Sequence, residues 1–282
     1  MLWAAGCGGV PSEPARSGPE QVTPKDFSHQ RFDNPTEVTN KWLPLKPGTQ
    51  WVYEGRITEE KRRLSHRVVT TVTDLTKVID GVGNVVILDR DYNAGRLVEG
   101  EITFHAQDDD GNIWNFGEYP EEYENGKFEG APDTWIAGLA GAKAGVVMRA
   151  DPRVGTTAYG QGWAPRIDFA DRARVFATGQ RTCVPVDCYR NVLITDEWNP
   201  YERGAHERKF YAPGVGNVRV GFAGGEEKET LVLVRFQHLS ATALAQARDK
   251  ALELEQRAYR VQKSLYGRTP PAERQHPGGS PG

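Results

Sequence analysis

The chain has 282 residues, 38% of them hydrophobic, with seven Trp, ten Tyr and ten Phe. That is enough apolar material for one large or two small globular domains, and it excludes a wholly disordered chain. A formal net charge of −3 argues against a duplex-binding surface, hence against nucleic acid as a partner, and no run approaches the ~18 apolar residues of a membrane span.

Residues 1–26 read as a truncated signal and tether. Met1-Leu2-Trp3-Ala4-Ala5-Gly6-Cys7 places small residues before a cysteine, as at the end of a bacterial lipoprotein signal peptide, where the cysteine is acylated and becomes the mature N-terminus. A complete signal needs a basic region and about 7–15 apolar residues, so the expectation is a further apolar segment encoded upstream of Met1. The alternative is an unstructured N-terminus with a chance cysteine. Gly8, Gly9, Pro11, Pro14, Gly18, Pro19 and Pro24 follow without apolar period, as in a flexible linker. The expected address is the bacterial cell envelope, outside the cytoplasm, with lipid on Cys7 tying the chain to the membrane; stable attachment needs more than one acyl chain.

Residues 27–239 read as a mainly β domain. Gln50–Glu54, Val68–Thr73, Val85–Leu88, Leu97–His105 and Ile113–Phe116 are β-branched or aromatic runs. Turn signals separate them at Asp80–Asn84, Asn93-Ala94-Gly95, Asp110-Gly111-Asn112 and Glu124–Lys127. Trp135–Phe169 is rich in Gly and Ala and predicts a long excursion with one or two strands. Strands resume at Arg174–Ala177, Tyr189–Thr195, Glu207–Tyr211, Val218–Phe222 and Leu231–Phe236. Roughly ten to twelve strands joined by hairpins predict an antiparallel meander closed into a barrel or a curved half-barrel.

From residue 240 to 266 the period changes. Ser240 is a plausible N-cap, and Leu244, Ala247, Ala251, Leu254, Ala258, Val261 and Leu265 recur at spacings of three and four. This predicts one long C-terminal α-helix whose narrow seam docks on its own domain, or on a protein partner as a coiled coil. Residues 267–282, rich in Pro and Gly, read as a disordered tail. Cys183 and Cys188 flank a turn-like Val184-Pro185-Val186-Asp187, and a disulfide is expected in an oxidising compartment. The alternatives are two buried thiols or a metal pair, but no second Cys pair or nearby His completes a zinc site.

Candidate chemistry is sparse, and no cofactor or metal is expected. Asp108, Asp110 and Asn112 match the first ligands of a calcium loop, but Ile113 and Tyr119 occupy the positions that need Gly and Glu, so a hairpin turn is the better reading. Glu118, Glu121, Glu122 and Glu124 lie among Trp114, Tyr119 and Tyr123, where paired carboxylates could serve sugar chemistry. His105, on a strand leading into the acidic turn, and Glu118 are the catalytic candidates. Trp51, Tyr53, Trp114, Trp135 and Tyr211 are the ligand-binding candidates, since aromatics lining a curved sheet would leave an apolar cavity.

Several blocks together resemble a family of bacterial secreted proteins and lipoproteins. They are Asn34-Pro35-Thr36 with Thr39-Asn40, Pro44-Leu45 and Pro47–Gly55, then Ala106-Gln107-Asp108 with Asp110–Trp114 and Phe116-Gly117-Glu118. Trp135–Gly138 with Gly141-Ala142, and Lys209–Gly216, continue the likeness. The resemblance implies export and a β-rich domain, and carries no catalytic residue with it. Three functional readings follow: an envelope lipoprotein binding an apolar small molecule or lipid; an extracellular hydrolase using carboxylates or His near residues 105–124; and an assembly subunit docking a partner through helix 241–266.

Overall fold

The computed structural model describes residues 31–59, 61–202, 204–224 and 228–275, so Cys7, the tether and residues 276–282 lie outside the described part. The first five strands are long: β1 Thr49–Glu59, β2 Arg62–Ile79, β3 Val82–Asn93, β4 Arg96–Gln107 and β5 Ile113–Glu124. Each follows the last as an antiparallel neighbour. Asp80-Gly81 and Ala94-Gly95 make the β2–β3 and β3–β4 turns, all four residues at positive φ, the geometry whose twist matches that of paired strands.

The excursion predicted over 135–169 supplies short pieces rather than one or two strands. After β6 (Lys127–Gly130) come β7 (Trp135–Ile136), β8 (Lys143–Met148), β9 (Tyr159–Gly160) and β10 (Gly162–Trp163). The meander resumes with β11 Arg172–Cys183, β12 Cys188–Trp198, β13 Glu207–Ala212, β14 Gly216–Phe222 and β15 Thr230–His238. β15 pairs back onto β1, giving the order β10-β8-β5-β4-β3-β2-β1-β15-β14-β13-β12-β11-β9. The two ends of this path are consecutive in sequence. Segment 159–163 pairs with β11 through β9 and with β8 through β10, and so links the two edges into a nearly closed barrel. The link is tight: a Cβ on Gly145 would lie 2.3 Å from the Gly162 nitrogen.

Strand alternation divides the apolar residues into two cores. The inner one contains Trp51, Tyr53, Val72, Val85, Ile87, Leu193, Tyr211, Val220 and Leu231, joined at one end by Val38, Trp42 and Leu45 of the N-terminal arm. Asn40 fixes that arm: its Nδ2 donates to the Gly111 and Arg149 carbonyls, and its Oδ1 accepts from the Trp42 amide. The outer core, on the opposite face of β2–β5, gathers Leu75, Ile79, Val86, Leu88, Ile102, Phe104, Trp114, Phe116 and Tyr119.

Helix α1 (Ala241–Val261) covers that outer face with Ala251, Leu254 and Ala258. Its N-cap is Ser240, whose Oγ accepts from the Ala243 amide. The helix ends five residues earlier than the periodicity suggests, and its seam is spent on the chain's own sheet. The reading of everything after 266 as a disordered tail is corrected for residues 267–275. Tyr266–Arg268 forms a 3₁₀ turn, and β16 (Glu273–Arg274) pairs with β2. What holds this return is Lys77, whose Nζ is buried and donates to Glu255 Oε1 at 2.8 Å, the Tyr259 hydroxyl at 3.1 Å and the Pro270 carbonyl at 2.5 Å. Cys183 and Cys188 form the disulfide, opposite one another at the β11–β12 turn.

Candidate functional site

The barrel interior is hollow. A cavity of about 380 Å³ is bounded by Leu43 and Leu45 of the arm, by Trp51, Tyr53, Val68, Ile87, Val220 and Leu231, and by Tyr211 on β13. The aromatic polar atoms are engaged elsewhere: Trp51 Nε1 donates to the Val215 carbonyl, the Tyr53 hydroxyl to the Asn217 carbonyl, and the Tyr211 hydroxyl to Glu197. These three residues therefore offer the cavity mainly apolar surface.

The same cavity is also walled by Asp89, Asp91, Thr103, His105, Glu207, Lys209 and Glu229. A second cavity, of about 310 Å³, shares Asp91, Glu207, Lys209 and Glu229 with it and adds His66, Asp171, Glu197 and Glu202. A third, of about 530 Å³, is lined by Glu99, Glu101, Glu118, Asp133, Asp168 and again Glu202. Carboxylates thus dominate the charged lining of all three, and among the described residues Lys209 is the single Lys or Arg in their walls.

Burial governs the electrostatics. It pushes Asp89 up to about 6, and burial together with neighbouring carboxylates pushes Asp91 and Glu118 up to about 8 and Glu99 to about 7; Glu101 is held well above its usual range for the same reasons. Lys209 is the counterweight. Its ammonium is stabilised first by Glu197, at 3.0 Å, and then by Glu207, which keeps it charged despite burial. His66 donates from Nε2 to Glu229 Oε1 at 2.8 Å and from Nδ1 to Asn93 Oδ1 at 2.6 Å, and these partners overcome burial to raise its basicity. Burial alone drives His105 down to about 4, so it is a neutral imidazole beside Thr103.

The residues singled out from the sequence fall into two groups. Trp51, Tyr53, Tyr211 and His105 line the first cavity, and Glu118 lines the third. Trp114 and Trp135 lie in the outer core instead, and Trp114 Nε1 donates to Asp108. A bulge on β5 parts Trp114 from Glu118, whereas Trp135 on β7 pairs directly with Glu118. Register jumps from Phe104–Gly117 to His105–Asn115, with Gly117 at φ 145°, so Glu118 faces inward although it shares sequence parity with Trp114. Glu118 and Glu121 then project from opposite faces, and Glu121 is buried beneath α1 with Arg257 and Tyr123. They are not a catalytic pair. Glu118 stands opposite Thr103 rather than His105. Asp108 accepts from the Asn112 amide and side chain, as a turn-forming residue does, and among the described residues no group of acids, His or Cys is arranged to hold a metal ion.

The carboxylates of β3 and β4 escape a motif search. Their signal is present nonetheless: Asp89-x-Asp91 and Glu99-x-Glu101 occupy both arms of one predicted hairpin, in phase with Ile87 and His105.

No family model and no curated protein matches the chain. Among solved structures it is similar to a candidate exported protein with a YmcC-like fold from Bacteroides fragilis NCTC 9343. Identity is 15% over 70% of this chain and 99% of that one, with a TM-score of 0.41. It is also similar to a candidate lipoprotein from Parabacteroides distasonis ATCC 8503, at 12% identity over 70% and 99% of the two chains, with a TM-score of 0.33. Likeness at this level carries no argument about activity.

Proposed function

We propose that this chain is an exported, lipid-anchored protein of the bacterial envelope whose barrel holds an apolar small molecule or lipid. The observation that carries the ligand is the cavity of about 380 Å³ floored by Trp51, Tyr53, Tyr211 and aliphatic side chains, a size and lining typical of small-molecule sites. Support for the address is the Ala4-Ala5-Gly6-Cys7 run and the Cys183–Cys188 disulfide, a bond that persists in oxidising compartments.

Two measurements test this. Native mass spectrometry of protein extracted from cell envelopes is expected to show an added small-molecule mass that is lost on denaturation; a bare polypeptide mass that binds no apolar probe would overturn the ligand. Metabolic labelling with an alkynyl fatty acid is expected to tag the wild type and to fail in Cys7→Ser; equal labelling, or none in either, would overturn the anchor.

The hydrolase reading has one observation in its favour, a Glu118 carboxyl that keeps its proton to about pH 8 beside other carboxylates, as a general acid must. It requires hydrolysis of a glycoside panel that disappears in both Glu118→Gln and His105→Ala with folding intact. The assembly reading has less room, because the helix seam is already docked on β2–β4.

A further inference from the structure

Asp89 stands directly opposite Glu101, and Asp91 directly opposite Glu99, across β3 and β4. Asp89 and Asp91 line the first cavity, with Trp51 and Tyr53, and Glu99 and Glu101 line the third. Like charges facing each other across a strand pair destabilise a sheet, so ionising all four works against the fold that carries them, and they share protons instead. The cations nearby are committed: Lys209 to Glu197 and Glu207, His66 to Glu229. Among the described residues no ammonium or guanidinium pairs with the four. Asp89 shows the deficit most directly, since its Oδ1 lies out of solvent in the cavity wall and accepts no hydrogen bond.

The register sets this square against the aromatic floor. One row across the sheet runs Glu101–Asp89–Thr70–Trp51, and the next Glu99–Asp91–Val68–Tyr53. Neighbouring strands lie ~4.8 Å apart, so on one sheet face the rings are separated by roughly 10 Å from Asp89 and Asp91 and by roughly 14 Å from Glu101 and Glu99. An occupant can therefore touch both at once. A polar end that supplies donors and positive charge suits the square best, because only a cation offsets the ionisation that burial and like neighbours oppose. The four carboxylates are spread over two strands rather than converging on a point, which suits an organic ammonium better than a metal ion.

Resting on the reading of the barrel as a ligand site, we infer that the ligand is a cationic amphiphile, an amine whose ammonium group sits beside Asp89 and Asp91, backed by their strand neighbours Glu101 and Glu99, while its apolar body lies on Trp51 and Tyr53. The test uses the full chain carrying Cys7→Ser and three probes of one tail length, dodecylamine, dodecanol and dodecyl sulfate, each below its micelle concentration, followed by calorimetry. Dodecylamine is expected to bind at least about tenfold more tightly than dodecanol, with dodecyl sulfate weakest. In Asp89→Asn/Glu101→Gln, dodecylamine should lose about tenfold while dodecanol is unchanged. Dodecanol binding as tightly as the amine overturns the charge inference and leaves the apolar site standing. No binding by any probe overturns both. Because the wild-type comparison needs no variant, a failure of the double substitution to fold does not remove the test.

Discussion

Asp91 sits where nearly everything opposes its ionisation. Burial acts first, then the Asp89, Glu99 and Glu229 carboxylates, with His66 alone favouring the charged form. The folded protein therefore holds a proton on Asp91 up to about pH 8, whereas the unfolded chain releases it near 3.8. Between those values the native state binds more protons than the unfolded one, so stability falls as pH rises. His66 acts in the same direction, its raised basicity being a stabilisation lost with increasing pH. His105 acts oppositely, but only between about 4 and 6.5, where the unfolded chain protonates it and the folded protein does not. Above pH 6.5 the carboxylates and His66 are left to set the slope. The melting temperature should fall from pH 6.5 to 8.5, and Asp91→Asn should make the fall shallower, as thermal melts across that range would show. A variant with the wild-type slope would contradict this assignment.

At the scale of elements, the C-terminal helix depends on one buried pair. The Lys77 side chain is fully buried and that of Glu255 is 6% exposed, and Glu255 Oε1 also accepts from the Ala272 amide. Removing one partner strands the other, so Lys77→Met should cost about 3–5 kcal/mol, roughly 10 °C in melting temperature. Replacing both as Lys77→Met/Glu255→Leu should recover most of that loss. If the double variant is no more stable than the single one in denaturant titrations, the pair is not what holds the helix. The long strands and this helix were legible because their periods of two and 3.6 persist over many residues. The 3₁₀ turn and β16 were not, since their placement depends on Lys77, nearly two hundred residues away in sequence. The mixed fate of the site candidates has a similarly local cause: a single bulge at Gly117 reverses which face Glu118 joins, and alternation read from Trp114 cannot see it.

For the whole molecule, closure rests on pieces too short to show any period. β9 and β10 have two residues each, and their pairing with β11 and β8 depends on backbone approach at Gly145. Gly145→Val puts side-chain atoms where the Gly162 backbone lies, so it should part the edges. Hydrogen exchange is expected to quicken over 143–148 and 159–163 while α1 stays protected; unchanged protection of both segments would mean that the link is not needed for closure. The two-core plan explains why a barrel with so many interior acids is stable. The outer core beneath α1 and the apolar end near the arm supply the burial, leaving the hollow between them for another molecule.

That hollow is the claim on which the account turns, and filling it is the most direct test. Val68 is partly exposed to the cavity, so Val68→Trp should occupy the space while leaving both cores in place. Titration with the neutral fluorophore N-phenyl-1-naphthylamine is expected to give saturable fluorescence enhancement with the wild type and little or none with Val68→Trp at equal melting temperature. Equal enhancement in the two proteins, or none in the wild type, would contradict a ligand site inside the barrel.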